Sequence, residues 1–198
     1  MLQLKNKMKT IVILSVLLVA FVILAKAAFP PVEQQQYVCL EKEGKFEIRR
    51  YPPALVASVY DKDKSYSESA NSSFRRLANF IFGGNQNNVK IAMTAPVHME
   101  FSESGSKMSF VMPSGFDEKS LPRPNDPGVE ITRSEERKVV VLGFGGFAND
   151  KKIKSKTAEL MRYIEERGLK IKGSPEYLGY DSPFKLVGRK NEIIAEIL

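Results

Sequence analysis

One side chain in this 198-residue chain has the imidazole chemistry of a metal ligand or a proton carrier near neutral pH, His98. It stands in VKIAMTAPVHMEF, Val89 to Phe101, among methionines and small apolar residues. In a strand, alternate side chains share a face. Met93, Ala95, Val97, Met99 and Phe101 then fall together, while His98 falls opposite with Thr94, Pro96 and Glu100. The next run, KMSFVMP, puts Met108, Phe110 and Met112 on one face and Ser109 and Val111 on the other. The apolar face is therefore rich in methionine, and His98 points away from it. A hydrogen-bonded or solvated histidine is the expectation. A role as axial metal ligand requires an open apolar slot on its own side, with the kink at Pro96 re-aiming the ring. Methionine fills irregular core gaps, and it also suits adaptable surfaces that grip flat apolar molecules. With Phe74, Leu77 and Phe80 nearby in sequence, these methionines make a shallow apolar groove physically reasonable.

Other chemistry is sparse. Cys39 is the single cysteine, so the chain has no internal disulfide, and its apolar surroundings in YVCL predict a buried, inert thiol. No Cys/His cluster has zinc-site spacing, so no metal site is expected. No G-x-S-x-G occurs and His98 has no partner by motif, so an enzyme is not expected. Gly143, Gly145 and Ala148 fit G-x-G-x-x-A. Too little chain follows to complete a dinucleotide domain, and the segment is better explained as part of a repeat.

That repeat organises the chain. FEIRRYPPALVASVY from Phe46 matches VEITRSEERKVVVLG from Val129, pairing Ile48 with Ile131, Arg50 with Arg133, Val56 with Val139 and Val59 with Leu142 at one constant offset of 83. Ala70, Phe74, Leu77 and Ile81 lie at helical spacing, and the same offset gives Ile153, Thr157, Leu160 and Ile164. Ser65 with Glu68 forms a capping box for the first helix. Gly83-Gly84 and Gly168 end the two helices. With a gap of four, Ala95-Pro96 falls beside Ser182-Pro183. Each half reads strand, strand, helix, strand, strand, over about residues 37–113 and 129–198, joined by the linker PSGFDEKSLPRPNDPG. Neither half buries its apolar sheet face alone. The expected fold is α+β: a distorted, eight-stranded, mostly antiparallel β-barrel with two flanking helices and an internal pseudo-two-fold.

The first 27 residues differ from the rest. Lys5, Lys7 and Lys9 precede an apolar run from Ile11 to Ala25, closed by Ala25-Lys26-Ala27. This is the pattern of a cleaved signal peptide, and the run is short for the alternative, a membrane anchor. It predicts the secretory pathway, with an extracellular or vacuolar destination, or membrane attachment through this segment. The chain carries +7, and the leader holds four lysines and no acids, which leaves +3 for residues 28–198. That excess is too small and scattered for a nucleic-acid partner. Asn71-Ser72-Ser73 is a glycosylation sequon, relevant in a secreted chain.

The motifs KFEIRRYPPALVASV, KIAMTAPV, FGGFA and GYDSPF…GRKNEI, in this order, resemble the SOUL haem-binding protein family, and in the leader its secretory-route or plant-type members. The resemblance covers about residues 37–198. It implies reversible binding of haem or another porphyrin in an apolar groove beside the first helix, by a monomeric carrier or buffer. His98 as axial ligand to haem iron is not general to the family. The resemblance places Lys185 where a lysine pairs with a propionate, and it matches basic helix positions to the neutral Asn71 and Asn79, with Arg75 adjacent. The expected lining is Phe74, Leu77, Ala78 and Met93, with Lys185 and Arg75 as anchors. The alternative is a protein-interaction or membrane-tethered module that keeps the fold without the ligand.

Overall fold

The computed structural model describes residues 13, 15–17, 20, 32–62, 65–182 and 184–198; of Glu68 it describes the backbone. The chain divides into two units, Met1–Val32 and Glu33–Leu198. In the first, residues 13, 15–17 and 20 are helical, and the rest of the expected leader lies outside the described residues. No helix among the described residues is long and apolar enough to cross a membrane. Among the described residues, all buried core side chains belong to Glu33–Leu198, so this unit carries its own folding core.

The second unit has eleven strands and two long helices: β1 (Glu33–Gln34), β2 (Val38–Glu43), β3 (Phe46–Tyr51), β4 (Ala54–Asp61), α1 (Tyr66–Ile81), β5 (Thr94–Ala95), β6 (Val97–Ser102), β7 (Gly105–Val111), β8 (Val129–Ser134), β9 (Arg137–Gly145), α2 (Asp150–Glu166), β10 (Ile171–Gly179) and β11 (Lys190–Ile197). Nine strands form one curled, open half-barrel in the order β2-β3-β9-β11-β10-β6-β7-β4-β8, and β1 pairs with β5 in parallel. Every ladder of the large sheet is antiparallel. The ninth strand is β2, which lies within the expected first half but has no image in the second, so the repeat proper begins at β3.

Without β2 the order is a palindrome. β3, β9, β11 and β10 are the images of β8, β4, β7 and β6, and β6 meets β10 on the pseudo-two-fold. Register obeys the same symmetry: Phe46 faces Leu142, and their images at the offset of 83, Val129 and Val59, face each other. The first strand of each half is exchanged. β3 bonds to β9 of the second half, and β8 bonds to β4 of the first. Phe46 of β3 accordingly stacks on Tyr163 of α2, with ring centroids 3.9 Å apart. One expected correspondence fails. Ala95-Pro96 precedes β6, whereas Ser182 follows β10, so these dipeptides flank opposite ends of image strands.

The helices cover one face of the sheet. Leu77, Phe80 and Ile81 of α1, and Ile153, Leu160 and Ile164 of α2, are buried against Met99, Met108, Phe110, Val140, Leu142 and Ile193. The helical spacing read from sequence thus marks the packed faces, with Phe74 at the margin of α1. The start of α1 is held from the other half, since the Tyr66 N–H donates to Asp150 Oδ1 at 2.8 Å. Asp150 opens α2, and a carboxylate there complements the N-terminal ends of both helices. Beyond α1, the buried Asn85 side chain donates to the carbonyls of Phe80 (2.7 Å) and Val89 (2.8 Å).

Cys39 corrects an expectation. It is exposed, because β2 is an edge strand whose six residues are all exposed. An apolar tetrapeptide reports strand tendency and does not distinguish an edge from a centre.

Candidate functional site

The seam between α1 and the central strands holds a groove of about 180 Å³. Phe74, Ala70 and Asn71 of α1 form its upper wall, and Val97, Met99 and Met108 form its floor. These floor residues are the helix-side set of the alternation in β6 and β7. Tyr66 and Tyr177 close one side, edge to face at 5.3 Å. Phe74 is 39% exposed and rests against Phe110, with centroids 5.4 Å apart. Its outer ring surface is what the helix offers a ligand.

Charge gathers at one end, where Asp181 and Arg189 line the groove. Arg189 donates to the carbonyls of Ser182 (2.9 Å) and Lys185 (2.8 Å), and its guanidinium stands 4.7 Å from the Phe147 ring centroid. Lys185 sits on the rim and donates to Asp181 Oδ1 at 2.6 Å. Burial would raise the Asp181 carboxyl, but Lys185 and the Lys190 N–H outweigh it and hold it below the usual carboxylate range. In the same loop, Phe184, Leu186 and Val187 are each at least 75% exposed.

A second groove, of about 460 Å³, lies beside α2. It is the two-fold image of the first. Ile153, Lys154 and Thr157 take the places of Ala70, Asn71 and Phe74, while Pro175 and Phe101 take those of Val97 and Gly179. Tyr66 lines both, so the two grooves adjoin at its ring.

The residues expected from sequence divide as follows. Phe74 lines the first groove, and Asn71 stands exposed at its wall. Leu77 is 0% exposed and offers no surface to a ligand. Ala78 and Met93 are half-buried and stand outside the lining. Arg75 is exposed and donates to the Asn71 carbonyl at 3.3 Å. Lys185 reaches the groove only through Asp181. Sequence reasoning missed Arg189, Tyr66 and Tyr177. Arg189 stood in the quoted GRKNEI, but no periodicity marks which loop cation turns toward a groove.

His98 lies on the opposite face of the sheet, 5% exposed. Its Nδ1 is 2.8 Å from Glu176 Oε2 and its Nε2 is 2.8 Å from Gln35 Oε1. Arg137 also donates to Glu176. Burial would raise the Glu176 carboxyl, but the His98 hydrogen bond and the Arg137 charge bring it down to about 2. Both ring nitrogens are engaged as the alternation predicts, and the ring is remote from the groove of Met99 and Met108. No cluster of three or more His, Cys, Asp or Glu able to hold a metal occurs among the described residues.

The family model described as SOUL heme-binding protein matches residues 32–196. The chain belongs to this family. Among SOUL-family relatives, Heme-binding protein 2 of Homo sapiens is 34% identical over 160 residues, covering 76% of this chain and 77% of that protein. Heme-binding protein 2 of Mus musculus is 33% identical over 158 residues, with 76% and 77% covered. Heme-binding protein 1 of Sus scrofa is 29% identical over 178 residues, covering 83% of this chain and 93% of that protein. Among solved structures, the EcmrR C-terminal domain superposes with a TM-score of 0.58 at 12% identity, covering 77% of this chain and 96% of that one. A hydrolase from Listeria innocua gives a TM-score of 0.57 at 13% identity, with 88% and 97% covered. These two likenesses show the fold alone.

Proposed function

We propose that the chain binds haem or a related tetrapyrrole reversibly in the groove beside α1, as a carrier or buffer rather than an enzyme. The observation that carries this reading is a half-exposed Phe74 with the partly exposed Ala70 and Val97, set over the buried Met99 and Met108 and ending at the cations Arg189 and Lys185. A flat macrocycle laid against Phe74, Ala70 and Val97 buries apolar area, the main source of affinity. Its carboxylates then meet Arg189 in a charge-assisted pair. Phe184, Leu186 and Val187 stand ready in the rim loop to cover the outer face of the ring. The names of the relatives, Heme-binding protein 1 and 2, support the ligand class.

No imidazole faces this groove, so iron is not required for binding. Titration of the Glu33–Leu198 unit with haemin and with metal-free protoporphyrin tests the reading by absorbance. Saturable spectral changes of similar affinity are expected for both ligands; no saturable change with either removes the proposal. The interaction-module reading has one observation in its favour, that Asn71 and Asn79 bring no charge to the wall of α1. A blank titration together with a stable protein partner supports that reading instead.

We further propose that the leader directs the chain into the secretory route. Mass spectrometry of the mature amino terminus decides this: a start near residue 28 supports cleavage, and an intact Met1 supports the anchor.

A further inference from the structure

The face of the sheet away from the helices differs between the two halves. On β3, β9, β11 and β10 it is filled. Tyr51, Val139, Val141, Leu178 and Ile194 form a buried cluster, and Arg49 meets Glu192 in a buried bidentate pair at 2.9 and 3.0 Å. The register carries each of these to an image. Tyr51 maps to Ser134, Arg49 to Thr132 and Val141 to Ser58. Ile194 maps to Ser109, Leu178 to Glu100 and Glu192 to Lys107. Apart from Val139, whose image Val56 is unchanged in size, each filler is replaced by a small hydroxyl or a charge, and a cavity of about 210 Å³ opens there.

Its back wall is set. Glu176 is taken by His98 and Arg137, and His98 by Gln35 as well. Two charges remain on the floor, Glu100 and Lys107, which face each other across β6 and β7. Among the described residues neither side chain makes a hydrogen bond or an ion pair. Burial, with Glu176 adding to it, raises the Glu100 carboxyl above its ordinary value despite Lys107 and Arg137. This is a carboxylate drawn partly out of water with no hydrogen-bond donor on it among the described residues.

We propose that this cavity binds a small zwitterion bearing one ammonium and one carboxylate, an α-amino acid or a molecule of that type. The ammonium sits at Glu100, the carboxylate at Lys107, and the hydroxyls of Ser109 and Thr132 complete the hydrogen bonding. The charge pattern selects this class. A ligand that is only cationic faces Lys107, and one that is only anionic faces Glu100. A dipolar ligand satisfies both at once. The size allows it, since the volume equals roughly seven waters and holds a small amino acid together with a few of them.

Calorimetric titration of the Glu33–Leu198 unit with L-alanine, L-serine and L-proline is the test, with ethylamine and propionate as half-ligands. At least one amino acid is expected to bind saturably, about tenfold or more tighter than either half-ligand. Glu100→Gln and Lys107→Met each weaken it about tenfold, and Ser134→Tyr, which restores the filler of the other half, abolishes it. Melting curves by circular dichroism confirm that the variants fold, and the half-ligand comparison needs no variant. Haemin titration is unchanged in Glu100→Gln, because the groove of α1 lies on the other face. No binding by any amino acid at millimolar concentration overturns the proposal. So does a half-ligand that binds as tightly, or full affinity in both floor variants.

Discussion

The two halves match closely on the helix side and diverge on the other. Leu77 and Leu160, images of each other, are both completely buried under their helices. Across the sheet, Arg49 and Tyr51 fill one half, while Thr132 and Ser134 leave the other hollow. Both halves need the helix-side core to fold, so its positions must stay apolar and complementary. The opposite face of one half can be given over to polar groups once the other half is packed solid. Duplication thus leaves one copy as a brace and frees its image for chemistry.

The largest test of this contrast is Glu192→Ala. It removes the bidentate partner of the buried Arg49 guanidinium, whose charged form Glu192 stabilises against its burial, and leaves Glu47 as its remaining carboxylate; the cost should be about 3 kcal/mol in urea denaturation. Its image change, Lys107→Ala, should cost about 0.5 kcal/mol or less, as expected for an exposed residue. Equal losses at the two sites would erase the distinction between brace and hollow.

On the matched side the images should behave alike. Leu77→Ala and Leu160→Ala should each cost about 3 kcal/mol, the range for buried leucines. A difference between them of more than about half of that would mean one helix is held mainly by something other than its core face.

Acid probes the back wall of the hollow. The folded-state value of Glu176 is depressed, so its contribution is complete above about pH 4.5 and is lost as pH falls toward about 2. The loss is on the order of 3 kcal/mol. Melting temperature against pH should fall across this window in the parent and fall less in Glu176→Gln. An unchanged slope would show that Glu176 is not tied to His98 and Arg137 in solution.

A smaller effect than these is expected at Asp150→Ala, which removes the acceptor for the Tyr66 N–H. About 1 kcal/mol is expected by chemical denaturation, the usual worth of a helix cap. Loss confined to the first turn of α2 would mean that the bond between halves carries nothing.

How much of this was legible in the sequence follows from what each pattern encodes. Ile48 with Ile131 and Leu77 with Leu160 were readable because burial on one face imposes a period and duplication imposes an offset. The exchange of β3 and β8 was not, since alternation marks a strand but never its neighbour. Ala95-Pro96 was misplaced against Ser182-Pro183 because a short dipeptide match ignores which end of a strand it flanks. The side on which His98 falls was readable from alternation alone. Its partners Glu176 and Gln35 were not, because they arrive from β10 and from the segment before β2. Phe74 was found as a groove residue by helical spacing. The same spacing also proposed Leu77, since it cannot separate the centre of a buried stripe from its edge. Arg189 and Tyr177 come from β11 and β10, brought to α1 only by the closure of the two halves.

The most direct test of the account is where a tetrapyrrole lands. Amide resonances of the Glu33–Leu198 unit should be followed during titration with metal-free protoporphyrin, which is diamagnetic. The account predicts shifts concentrated at Ala70, Phe74, Met99, Met108 and Arg189, with Ile153, Thr157 and Glu100 still. Shifts centred on the groove of α2 or on the cavity of Glu100, or no shifts at saturating ligand, would contradict it.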